Sequence, residues 1–152
     1  MKTFRFLTKL DIQPMLDLAY KFVYERGLAD TDFDRVAYNF TVKNWFATSA
    51  VRPYGTFIND ELVGFAMLVS DRVFYNNKKR ISVDLIYILP QYRNHLYYQE
   101  LLDNIFDLCS QQGVEVVRTS AINYVLPYNQ TQDIMIQNGF KQTDTIWETN
   151  AS

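Results

Sequence analysis

The sequence is short of the residues on which several kinds of function depend. It has one cysteine and one histidine in 152 residues, which excludes an internal disulfide, a cysteine-rich metal site and a multi-histidine metal site. No metal is expected. No apolar run approaches the roughly 20 residues that cross a bilayer, and residues 1–10 alternate charge with apolar side chains instead of forming a secretory core. No membrane association is expected, and the expected location is cytoplasmic. Positive charge is not in excess either: the net charge is -2 and the pI about 5.3, which argues against nucleic acid as a partner. Lys78-Lys79-Arg80 is the one obvious basic run. Glycine occurs only five times, and none falls in the connection Arg93-Asn94-His95-Leu96-Tyr97-Tyr98, where a loop that cradles phosphate would use it.

What is present suffices for one core. With 48% hydrophobic and 16% aromatic residues, the chain reads as a single domain over residues 1–152 that buries most of its apolar surface. No linker, repeat or low-complexity tract interrupts it. Residues 2–7 read as a strand. A helix follows from the cap at Asp11, with Pro14 in its first turn, to about Arg26, and Gly27 stops it. A second helix starts among Asp30, Asp32 and Asp34, repeats Phe33, Val36, Ala37 and Phe40 along one side, and ends near Trp45 or Phe46. Residues 55–58 and 62–69 form a hairpin around Asn59-Asp60-Glu61. After a turn at residues 76–79, a strand over 81–89 ends at Pro90.

The next helix buries Leu101, Leu102, Ile105, Phe106 and Cys109 on one face and stops at Gly113, so Cys109 is a core residue. A strand over 114–122, a helix over 129–138 ending at Gly139 and a closing strand over 141–149 complete the chain. Strand, helix and strand around the third helix make a right-handed crossover, which places its two parallel strands at the centre of the sheet. The fold class is α+β (α/β): a mixed central sheet of about six strands, in the order β-α-α-β-β-β-α-β-α-β, with helices on both faces.

That order, the hairpin "INDELVGFAML", the segment "YILPQYR" with an amphipathic helix behind it, and the terminal "QNGF" before a strand resemble the GNAT superfamily of acyl-CoA N-acyltransferases. The likeness spans about residues 2–148. It implies acetyl-CoA as co-substrate, its pantetheine arm bonded to backbone near Tyr87 and Ile88, and its pyrophosphate bound at the start of the following helix. Arg93 falls where the family is often basic, while Asn94, Leu96 and Tyr98 replace its common glycines. Asn94 tolerates a left-handed conformation, and Arg93, His95, Tyr97 or Tyr98 could add side-chain donors. Alternatively Leu96, Tyr97 and Tyr98 are packing residues. If coenzyme binds, Tyr98→Gly is expected to preserve or tighten binding.

The resemblance also supplies a slot for a general base, filled here by Asp84 in "SVDLIYILP", since an ammonium must lose a proton before nitrogen attacks a thioester. The competing reading pairs Asp84 with Lys78, Lys79 or Arg80. The family's tyrosine acid is replaced by Met135, which leaves Tyr128 and Tyr124 as candidates that could equally be packing or surface residues. Asn129 lies near a family position that touches coenzyme and otherwise reads as a helix cap. Tyr38, Trp45, Phe46 and Tyr54 line an acceptor cleft or fill the core.

Two functions of different class follow. One is an N-acetyltransferase moving acetyl from acetyl-CoA to a primary amine, on a small molecule or a protein, by direct attack. The other is a GNAT-like binding or structural module without catalysis, virus-encoded in one version of that reading. The altered loop and missing acid favour the second; the order of elements and Asp84 favour the first. The many aromatic residues suit a homodimer interface or a protein partner.

Overall fold

A computed structural model describes residues 1–27, 34–119 and 126–143. Its elements run β1 (Lys2–Phe6), α1 (Ile12–Glu25), α2 (Arg35–Asn44), β2 (Val51–Ile58), β3 (Glu61–Arg72), β4 (Lys79–Ile88), α3 (His95–Gln112), β5 (Val116–Thr119) and α4 (Tyr128–Gln137). The five strands form one sheet in the order β1-β2-β3-β4-β5, antiparallel except for the final β4–β5 pair. The α+β class and mixed sheet agree with expectation; the strand count is five among the described residues instead of about six. Residues 141–143 are not strand, and the rest of the expected closing strand, 144–149, lies outside the described residues. Among the described strands β3 is the middle one, between β2 and β4, and β5 is the last beyond β4.

Local chemistry explains the connections. Asn59 and Asp60 both have positive φ (50° and 66°), the conformation of a two-residue hairpin turn whose twist matches its strands. Gly27 and Gly113, at φ of 69° and 68°, end α1 and α3 as left-handed residues. The Asp34 carboxylate accepts from the Ala37 N–H and caps α2. Asp11 stands before α1 without capping it: its carboxylate closes a box with Thr8 and binds Arg5. At Gly64 a Cβ would lie 2.9 Å from the Tyr87 carbonyl oxygen, so the close approach of β3 to β4 there requires glycine.

Two faces of the sheet are covered. Phe4, Thr56, Gly64 and Ile88 share one register line, and on that face Tyr97 of α3 stacks on Phe4 and reaches Thr56. Phe65 and Tyr87, one residue along, project to the opposite face, where Phe22 of α1 meets Tyr87 edge-on at 5.6 Å. Helix α4 joins α3 through Gln99 and Asn138, which exchange amide hydrogen bonds, and through Phe106 against Phe140. Leu101, Leu102, Ile105 and Cys109 are buried as the helical spacing predicts.

Helix α2 differs from the sequence reading. Val36 and Phe40 are 79% and 67% exposed, while Val42 is buried and Tyr38 and Trp45 pack partly against the core. The stripe that faces inward is thus 38/42/45, a competing i, i+4, i+7 series on the same short helix. Phe46 is also partly buried and Tyr54 fully so, which places these aromatic residues in packing roles.

Candidate active site

The connection from β4 to α3 needs no glycine because no residue in it adopts positive φ. Pro90–Tyr92 make a single 3-10 turn, Arg93 is extended, and Asn94 is extended at φ -162°. Asn94 is therefore not the left-handed residue its type allowed; it is the N-cap of α3, its Oδ1 accepting from the Tyr97 N–H at 2.8 Å. Leu96 is 65% exposed and its side chain lies outside the core.

Tyr97 and Tyr98 turn the other way, at 1% and 0% exposure. The Tyr97 hydroxyl is 3.0 Å from Thr56 Oγ1, and burial pushes its pKa upward. The expectation that either phenol is free to meet a phosphate gives way to packing, because at helix spacing both fall on the buried face with Leu101 and Leu102. Their N–H groups are also engaged, with Asn94 Oδ1 and the Asn94 carbonyl. The N–H groups of His95 and Leu96 have no partner among the described residues, and they stand at the positive end of an 18-residue helix.

Arg93 is held on three sides. Its Nε donates to the Ile88 carbonyl at 2.9 Å, its two terminal nitrogens donate to the two carboxylate oxygens of Glu25 at 2.5 and 2.7 Å, and its guanidinium lies 5.4 Å from the Tyr87 ring centre. The expected phosphate donor thus already has a carboxylate. Arg93 holds the Glu25 carboxyl below its usual range, against the opposing effect of burial. Burial, and then the hydrogen bond with Glu25, push the Tyr87 phenol up to about 12. Sequence reasoning passed over Glu25, since a glutamate in the last turn of α1 has no local spacing that ties it to an arginine 68 residues later.

Asp84 occupies a bulge. Met67 pairs with Leu85 and Leu68 with Val83, leaving Asp84 as the extra residue of β4. Its side chain is exposed. The ion pair weighed for it does not form: Arg80 binds Asp71 at 2.7 and 2.9 Å instead. Described pairing with β5 covers Arg80 to Val83 only. The Leu89 N–H donates to Val63 of β3, so the alternation of backbone groups directs those of Ile88 to the opposite edge, where Arg93 takes the carbonyl.

The structure therefore gathers Tyr87, Ile88 and Arg93 with the α3 start, and puts Asp84 on the same strand. Tyr128 and Asn129 are the exposed first two residues of α4, and no hydrogen bond joins them to Asp84 or to the α3 start among the described residues. Pro127, not Asn129, is the cap of α4. Met135 is buried, and Tyr124 lies outside the described residues. Among the described residues no cluster of three or more ligating side chains could hold a metal ion, and no helix is long and apolar enough to cross a membrane.

The sequence profile of the Acetyltransferase (GNAT) family matches residues 13–130. Among solved structures, a possible acetyltransferase from Clostridium difficile 630 superposes with a TM-score of 0.76 at 14% identity, covering 100% of this chain and 99% of the other. A ribosomal-protein-alanine N-acetyltransferase from Brucella melitensis biovar Abortus 2308 gives 0.75 at 15% identity, with 98% of each chain covered. A predicted acetyltransferase from Clostridium acetobutylicum, solved with acetyl-CoA, gives 0.72 at 15% identity over 99% of this chain and 96% of that one. No curated protein matches the sequence.

Proposed function

The chain belongs to the acetyltransferase (GNAT) family, and from that membership we propose that it is an N-acetyltransferase that moves acetyl from acetyl-CoA to a primary amine by direct attack. The observation that carries this reading is the uncovered start of α3. Its free N–H groups at His95 and Leu96 and its helix dipole suit a pyrophosphate without any glycine in the loop. The residues fit the group: Leu96 projects outward and Tyr97 and Tyr98 inward, which keeps both rings out of the approach to the backbone.

Acetyl-CoA supplies an acetyl group activated as a thioester. On the side of β4 that faces away from β3, the Ile88 N–H is directed where it can donate to the thioester oxygen. Asp84 takes the proton from the acceptor ammonium, freeing the nitrogen lone pair to form the N–C bond; the second nitrogen proton is lost to solvent as the C–S bond breaks and the amide forms. Tyr128 is the candidate proton donor to the leaving thiolate. Demand on it is modest, since a thiolate leaves with a comparatively low pKa, and the buried Met135 replaces the family's usual donor.

The test is titration with acetyl-CoA and with free CoA, followed by calorimetry and thermal shift, and then a panel of amine acceptors. Saturation at about a hundred times Kd should add about 2.7 kcal/mol and raise Tm by several degrees. No saturable binding at millimolar coenzyme would overturn the proposal.

A further inference from the structure

We infer that Glu25 and Arg93 form a brace for coenzyme, a pair of positioning residues that hold the β4–α3 turn so that backbone N–H groups, and not the arginine, meet the pyrophosphate. The inference rests on the coenzyme reading above and assigns a role to Glu25 that no sequence motif suggests.

Three observations carry it. First, the guanidinium is spent: Nε bonds the Ile88 carbonyl, both terminal nitrogens bond Glu25, and the Arg93 side chain is only 19% exposed. A planar fork fixed on a carboxylate at two points loses the freedom to swing toward a ligand. Second, the contacts tie together parts of the chain that the coenzyme would have to find in register. The Ile88 carbonyl belongs to the side of β4 that faces away from β3, Arg93 directly precedes the Asn94 cap of α3, and Glu25 belongs to the last turn of α1. One side chain thereby sets the distance between the strand edge and the helix start. Third, Tyr87 backs the guanidinium with its ring while Phe22 and Phe65 pack around that ring, so the arginine end of the brace rests on the core, while Glu25 holds it from the surface.

This arrangement differs from direct phosphate recognition in what it predicts. If Arg93 met phosphate, Glu25 would compete with the ligand, and removing Glu25 would tighten binding. As a brace, Glu25 is needed: without it Arg93 is released, the turn loosens, and the N–H groups of His95 and Leu96 lose their fixed aim. A lysine at position 93 keeps the charge but cannot bridge a strand carbonyl and both oxygens of a carboxylate, so it should not substitute.

The experiment compares acetyl-CoA with S-acetylpantetheine, which has the thioester and the pantetheine arm but no pyrophosphate. Dissociation constants are measured for the wild type, Glu25→Ala, Arg93→Ala, Arg93→Lys and the double alanine variant, with melting temperatures recorded alongside. The expected result is a loss of acetyl-CoA affinity of about tenfold or more in every single variant, no further loss in the double variant, and unchanged affinity for S-acetylpantetheine. Should Glu25→Ala not fold, Glu25→Gln, which keeps the shape and one carbonyl acceptor, carries the same comparison. Wild-type affinity or better in the Glu25 variant with weakened binding in Arg93→Ala would overturn the brace and return Arg93 to the phosphate. Equal losses for both probes would also overturn it, as they would mark general loosening of the fold. A wild type that binds neither probe would instead overturn the coenzyme reading itself, and the brace with it.

Discussion

The Tyr97 hydroxyl and Thr56 Oγ1 meet at 3.0 Å inside the core, joining the first turn of α3 to the centre of β2. Neither side chain is more than 1% exposed, so each is the other's means of satisfying a buried hydroxyl. Tyr97→Phe should therefore cost about 1–3 kcal/mol, the penalty of leaving Thr56 unpaired, and lower Tm by several degrees in a thermal melt. Adding Thr56→Val should recover part of that loss. A single variant as stable as wild type would mean that Thr56 finds another partner.

Tyr98 reverses the expectation drawn from the loop sequence. Replacing it with glycine removes a fully buried ring and places glycine in a helix, so Tyr98→Gly should destabilise the fold by about 3–5 kcal/mol instead of sharpening coenzyme binding. Urea unfolding measures this directly. A variant with an unchanged midpoint would show that the ring contributes no packing.

Much of the architecture was legible because it rests on local signals. Asn59-Asp60 dictates its turn, Gly113 ends α3, and the Leu101, Leu102, Ile105, Cys109 spacing picks the buried face of that helix. The same spacing supports the packing alternative for Tyr97 and Tyr98, which lie four and three residues before Leu101, while Leu96 falls off that face. Other features depend on contacts remote in sequence. Val36 and Phe40 formed as good a stripe as Tyr38, Val42 and Trp45, and only packing against the sheet chooses between them. The bulge at Asp84 follows from the pairing of β4 with β3, and the hold of Glu25 on Arg93 joins residues 68 apart that no window of sequence brings together.

Acid should weaken the start of the chain through Asp11. Hydrogen bonds from Arg5 at 2.9 and 3.1 Å lower its pKa, helped by the Thr8 N–H and opposed by burial. A carboxyl whose folded pKa lies below the unfolded value near 3.8 stabilises fully above that value and loses the contribution as pH falls through the folded one. The difference in unfolding free energy between wild type and Asp11→Asn should thus be full above the unfolded value and shrink as pH falls through the lowered folded pKa. A gap that stayed constant with pH would remove the Arg5 pair as its source.

Asp84 is the sharpest test of the proposed chemistry, because its position has a structural explanation that is separate from catalysis. As the extra residue of a β-bulge it projects into solvent with no ion pair among the described residues, and asparagine fits the same bulge with nearly the same shape. Asp84→Asn should accordingly leave the melting temperature and acetyl-CoA affinity unchanged. If the carboxylate takes the proton from the acceptor amine, kcat should fall by about 10²- to 10⁴-fold, and the loss should appear at saturating concentrations of both substrates. A variant that retains full turnover would relieve Asp84 of that role while leaving the coenzyme site untouched, since the start of α3 and the edge of β4 at Ile88 do not depend on this side chain.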